Sequence, residues 1–278
     1  MSLARFSLNQ ATIKCADLPT AVRATVDAGI PAIGLWREPV AEFGLTASAA
    51  AVRDAGLRVS SLCRGGFFTV PEGRARRAAS DDNRRALDEA AVLGAPTLVL
   101  VAGGLPEGSR DLVGARSRVV EALGELAPHA RQVGVTLAIE ALHPMYVSDR
   151  AVVSTLGQAL DLAAPFTPEE VGVVVDTFHV WWDPALREQI ARAGRERRIA
   201  SYQVCDWMMP IASDPLLSRG IPGDGCIDFA TITEWVRAAG YRRDVECEIF
   251  RQEIWDADAF EVANRVADAY ERLIAEHV

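Results

Sequence analysis

The stretch Arg131-Gln-Val-Gly-Val-Thr-Leu-Ala-Ile-Glu-Ala-Leu-His-Pro144, RQVGVTLAIEALHP, carries the end of one element and the whole of the next. Gly134 closes a long amphipathic segment, as glycine does just past a helix C-terminus. The run from Val135 to Glu140 is then too short for a helix and apolar enough for a buried strand. It ends on Glu140, with His143 three residues later and Pro144 opening an irregular loop. A carboxylate at the end of a buried strand is costly unless something cationic meets it.

The same punctuation recurs along the chain. Short apolar runs over 5–10, 32–36, 57–63, 97–102, 135–140, 171–176, 201–205 and 244–248 predict strands. Between them, amphipathic patterns over 18–29, 46–56, 80–94, 111–134, 152–163, 184–194 and 229–240 predict helices, and 256–277 predicts a last one. Strict alternation implies parallel strands joined by crossover helices. Eight such units close a (β/α)8 TIM barrel, an α/β fold, here as a single domain over residues 1–278. A doubly wound open sheet fits less well, because no GxGxxG follows the first strand and no switch point stands out.

Composition narrows the functional classes. The 278-residue chain is 50% hydrophobic and carries a net charge of −9, which speaks against nucleic acid or an anionic membrane as partner. Its five cysteines are scattered without a CxxC pair, so a disulfide framework is not expected and a cytoplasmic location is. The start, MSLARFSLNQ, has no signal-peptide core, and no apolar run reaches membrane-spanning length. Lysine occurs once, at Lys14, which argues against Schiff-base and P-loop chemistry.

Barrel chemistry sits at the carboxyl-terminal ends of the strands. Strand two ends in Trp36-Arg37-Glu38, strand three in Cys63-Arg64-Gly65-Gly66-Phe67, strand five in Glu140, and strand six in Asp176 with His179 beyond. Strand seven carries Gln203 and Asp206, and strand eight carries Glu246 and Glu248. Any one acidic residue there is as readily a helix cap or an arginine's partner as a ligand. Glu140, Asp176 and Glu248 together would force protonation of at least one unless a counter-ion is present. A divalent cation removes that conflict, Mg²⁺ or Mn²⁺ on oxygen ligands, with Co²⁺ or Zn²⁺ open to a nearby histidine. Glu246 and Glu248 share a face at different depths, so one of them is a candidate core carboxylate paired with an arginine. His143, at the barrel mouth, is a candidate proton shuttle. Trp181-Trp182 is either core or a platform for a sugar ring.

These residues resemble those of the xylose isomerase-like barrels, in the sugar phosphate isomerase/epimerase group with ketose 3-epimerases and inosose dehydratase. IEALHP with Glu140, VVVDTFH with Asp176 and His179, SRGIPGDGCIDF with Arg219, and VECEIF with Glu248 carry the resemblance over nearly the whole chain. It implies a metal held by Glu140, Asp176 and Glu248, with Gln203 where relatives usually have histidine. That departure favours Mn²⁺, or else Mg²⁺, as the cofactor. It further implies that His179 and Arg219 contact the substrate, a sugar or keto-sugar. An apurinic endonuclease branch of the family, rich in histidine, fits poorly with four histidines and a charge of −9. LCRGGFF, HPMY and HVWWDP also resemble a narrower subgroup that includes catalytic subunits of C-glycoside deglycosidases.

The resemblance implies proton transfer at a carbon beside a sugar carbonyl, through an enediolate steadied by the metal. Glu140 and Glu248 would exchange the proton, while His143, His179 and Arg219 bind hydroxyls or the developing oxyanion. Trp36, Arg64, Phe67 and Trp182 complete the expected substrate contacts. Arg64, Arg74, Arg76 and Arg77 are either a phosphate-binding cluster or solvated loop charges. The rivals are a lyase that eliminates from a 3-keto sugar with His143 as acid or base, and a non-catalytic sugar-binding barrel. A homo-oligomer is one expected assembly, and a deglycosidase would need a small partner subunit instead.

Overall fold

In the computed structural model, which describes residues 2–278, eight strands form one closed parallel barrel. They are β1 (Phe6–Asn9), β2 (Ala32–Trp36), β3 (Arg58–Gly66), β4 (Thr97–Val101), β5 (Thr136–Glu140), β6 (Val171–Asp176), β7 (Ile199–Val204) and β8 (Val245–Cys247). Each pairs with its sequence neighbours, and β1 closes the ring on β8 with Ser7 opposite Glu246. The expected TIM barrel is therefore present.

Helices clothe the outside, and their ends follow the sequence signals. Asp111 accepts from the Gly114 amide to start the helix Leu112–Val133, and Gly134 ends it in the left-handed region. Leu98, Leu100, Leu137, Ile139, Val173 and Val175 point outward into one core with Leu87, Leu123, Leu160 and Ile190 of the helices. That two-layer burial is what stabilises the barrel.

Three departures matter for the mouth of the barrel. First, β3 continues to Gly66 rather than stopping at Cys63. Asn83 holds it there, accepting from the Gly66 amide at 2.6 Å and donating to its carbonyl at 2.9 Å. Gly66 has φ +115°, and a Cβ on it would lie 1.9 Å from the Val101 carbonyl oxygen, so no other residue fits. Second, the helix expected from 80 begins at Arg74. Its Arg76 is bound to Glu121 and Glu125 of the neighbouring helix. Third, short helices over Arg37–Phe43 and Thr177–Val180 follow β2 and β6 directly, where the sequence patterns predict no element.

A two-residue antiparallel ribbon, Asp206–Trp207 with Arg219–Gly220, folds the loop after β7 back over the barrel. Asp206 clamps that loop. Its carboxylate accepts from the amides of Gly223 and Gly225 at 2.8 Å each and Ile227 at 3.0 Å. Among the described residues no helix is long and apolar enough to cross a membrane.

Candidate metal and substrate site

Inside the barrel, side chains that alternate inward build the floor of the site first. Glu246 of β8 is fully buried. Asn9 donates to it at 2.6 Å, Ser60 at 2.5 Å, Ser61 at 2.8 Å and Gln203 at 3.0 Å. Gly34 leaves room for it, since a Cβ there would sit 2.6 Å from the Glu246 carboxyl carbon. Burial raises the Glu246 pKa, and the hydroxyl and amide donors hold it back. Glu246 is thus the core carboxylate of the Glu246/Glu248 pair, but hydroxyls and amides satisfy it rather than an arginine. Cys63, Val99, Ala138, Val174 and Ala200 pack together around the axis, with Trp36 against them.

At the mouth, Glu140, Asp176 and His179 each bring one ligand atom within 4.8 Å of the others. All three are buried, Asp176 and His179 to 1% exposure. Burial pushes the Glu140 carboxyl well above its usual range, and the charges of Asp176 and Glu248 push it further. Burial likewise raises Asp176 and lifts Glu248 to about 8, opposed in both cases by Arg219.

Arg219 is the internal counter-ion. Its guanidinium bridges two carboxylates, 2.9 Å from Asp176 Oδ2 and 3.4 Å from Glu248 Oε2. The faces of Phe178 and Phe250 flank it at 4.7 and 5.3 Å. It also stands 3.0 Å from His179 Nε2, while the His143 amide donates to His179 Nδ1 at 3.1 Å. A neutral imidazole can accept at only one ring nitrogen, so the ring cannot satisfy both donors. Burial, and then the Arg219 charge, push the His179 pKa well down and keep the ring neutral.

These groups fit a divalent cation. Glu140 Oε1 is buried without a hydrogen-bond partner, and the one guanidinium that meets Asp176 Oδ2 and Glu248 offsets only part of three carboxylate charges. At strand seven the Gln203 amide nitrogen donates to Glu246 in the layer below, while its carbonyl oxygen, the atom expected to ligate, is buried without a partner. Among acidic and histidine side chains it is His179 that lies close to Glu140 and Asp176. Glu248 lies across the Arg219 guanidinium from Asp176 and is not part of that triad.

A cavity of about 460 Å³ opens above the carboxylates, lined by Glu140, His179, Arg219 and Glu248. Trp36, Arg64 and Phe67 also line it, as expected of substrate contacts. Two expected residues do not. Trp182 donates its indole N–H to the His179 carbonyl at 2.8 Å, bracing the helix behind the site. His143 packs its ring between Trp182 and Trp207, at 5.5 and 5.1 Å, and reaches the site only through its backbone amide. None of Arg74, Arg76 and Arg77 lines the cavity. Lys14, Arg150, Phe250 and Trp255 do, and sequence reading passed over them. Lys14 did carry a signal, as the single lysine of the chain.

Residues 22–273 match the family described as Xylose isomerase-like TIM barrel. The chain belongs to that family. A relative named inosose isomerase from Bacillus licheniformis is 28% identical over 160 residues, 57% of this chain and 55% of the relative. The chain therefore aligns with only about half the length of that relative. Among solved structures, protein SMc04130 from Sinorhizobium meliloti 1021 superimposes with a TM-score of 0.95 at 48% identity, covering 98% of this barrel and 99% of that protein. The IolI protein, solved with a bound zinc atom, superimposes with a TM-score of 0.86 at 21% identity, covering 99% of each chain. At that identity the likeness is one of fold. Glu140, Asp176 and His179 gather at the carboxyl ends of β5 and β6, the position where barrel enzymes keep their chemistry.

Proposed function

We propose that this barrel is a divalent-metal-dependent sugar isomerase or epimerase that moves a proton at the carbon next to a sugar carbonyl. The observation that carries the reading is the buried group of Glu140, Asp176 and His179 at the floor of a cavity that Glu248 also lines. Glu140, Asp176 and His179 would hold the cation, Mn²⁺ or a similar ion. When bound, it supplies Lewis acidity, polarising the carbonyl and easing loss of the neighbouring proton.

The chain's own residues do the rest. Burial lifts Glu248 to about 8 before any cation binds, so once ionised it has the basicity to take a carbon-bound proton and return it. Glu140 lines the same cavity and is the candidate partner for the second transfer. Arg219 steadies negative charge developing on the substrate oxygen while holding Glu248 and Asp176 in place. Trp36, Phe67 and Phe250 wall the cavity with aromatic surface that packs on the apolar face of a sugar and limits water.

Elimination from a 3-keto sugar was to use His143, and the placement of that ring outside the cavity favours isomerisation over it. Replacing Glu140 by Gln tests the reading. Metal content and ketose isomerisation or epimerisation should fall together, activity by at least about a hundredfold. Unchanged turnover would refute the proposal.

A further inference from the structure

Building on that reading, we infer that the substrate carries an anionic group, a carboxylate or a phosphate, remote from the reacting carbonyl, and that Lys14 and Arg64 receive it. Four cations line the cavity: Lys14, Arg64, Arg150 and Arg219. Two have committed partners. Arg219 bridges Asp176 and Glu248, and Arg150 pairs with Asp214 at 2.9 Å. Arg64 has one carboxylate neighbour, Glu38, at 3.9 Å across an exposed gap. Lys14 makes no ion pair among the described residues, although Glu38 and Glu42 line the neighbouring hollow with it: its ammonium lies 3.8 Å from the centre of the Trp255 ring. Arg64 is likewise held by ring faces, 5.6 Å from Trp36 and 5.1 Å from Phe67.

An aromatic face orients a cation without neutralising it. Trp36, Phe250 and Trp255 form a continuous edge-to-face wall, with centroid spacings of 5.5 and 6.0 Å. Lys14 lies over the Trp255 ring and Arg64 over the Trp36 ring, and both line the one cavity. Lys14 and Arg64 thus meet the cavity with little carboxylate neutralisation. A neutral sugar would leave Lys14 without an anion and Arg64 with Glu38 alone, at 3.9 Å. A sugar acid or sugar phosphate satisfies them and turns its carbonyl toward Glu140 and Glu248. In a protein of net charge −9 such a substrate is repelled at long range, so the local cations set its affinity.

The test compares three ketoses that differ only at carbon six: fructose, fructose 6-phosphate and fructuronate. Deuterium exchange is measured on the Mn²⁺-loaded full chain, and direct binding of each sugar by calorimetry. The charged sugars should exceed fructose in kcat/KM by about tenfold or more, mostly through KM, as a charge-assisted contact at a wet rim would give. Lys14→Gln or Arg64→Gln should shrink that ratio by about tenfold, and salt should shrink it in the parent protein. Preference for phosphate over carboxylate, or the reverse, names the group. Equal kcat/KM for all three sugars overturns the inference and leaves the isomerase reading standing. Exchange of none of them counts against the isomerase reading instead. In that case calorimetry still decides the inference: charged sugars bound tighter than fructose, with the margin lost in Lys14→Gln, support it, and equal binding overturns it.

Discussion

Replacing Arg219 by Met keeps a long side chain between Phe178 and Phe250 but removes the charge that bridges Asp176 and Glu248. The guanidinium is 1% exposed, so its carboxylate partners would be left in a site that water reaches poorly. Breaking a buried ion pair from one side costs about 3–5 kcal/mol. For a chain of this length, about 2 °C of midpoint accompanies each kcal/mol, so about 6–10 °C is at stake. The loss must depend on pH. Burial already favours the protonated forms of Glu140 and Glu248, the latter with a pKa of about 8 even with Arg219 present. At pH 5.5 the orphaned carboxyls can take up protons and escape most of the penalty, whereas at pH 8 ionisation is resisted at full cost. Thermal unfolding followed by circular dichroism, on protein treated with EDTA, reads both values. A drop in midpoint that is the same at pH 5.5 and pH 8 would refute the idea that Arg219 acts as a counter-ion and leave only lost packing.

The parent protein makes a related prediction. Glu140 and Glu248 are raised in the folded state, so their stabilising protons are fully bound below the ordinary glutamate range and lost as pH climbs towards about 8. The EDTA-treated protein should therefore lose a few kcal/mol between about pH 5 and pH 8, and added Mn²⁺ should raise its melting point most at the upper end. A metal effect larger at pH 5 would contradict this. Below the site, Gly34→Ala drives a methyl to 2.6 Å from the Glu246 carboxyl, which should cost about 1–3 kcal/mol in urea unfolding. An unshifted midpoint would mean that the Glu246 layer is looser than its hydrogen bonds indicate.

The barrel was legible because its signals are local. Gly94 and Gly134 stop their helices where the period changes, and the eight apolar runs that follow or precede such stops are the eight strands. Glu140 and Asp176 were legible for the same reason, each being the polar residue that ends an apolar run. What was not legible depends on contacts across the fold. Gln203 reads as a ligand by position, and the sequence does not show that its amide nitrogen joins Asn9, Ser60 and Ser61 around Glu246. Arg219 reads as a substrate contact. Only the fold of its loop, clamped by Asp206, brings its guanidinium to Asp176. His143 ends outside the cavity because Trp207, on that same folded-back loop, takes up its ring. Lys14 was read for chemistry that needs a lysine at a reacting carbon, and its place at the cavity rim came from the pairing of β1 with β8 and the turn that follows.

The most direct test of the central claim is proton NMR in D₂O, with the Mn²⁺-loaded chain and a panel of ketoses, keto-acid sugars and inososes. Deuterium should enter at the carbon beside the carbonyl with the carbon skeleton intact, and should stop entering in Glu140→Gln. Exchange that persists without metal and without Glu140 would contradict it, as would loss of water or of an aglycone in place of exchange.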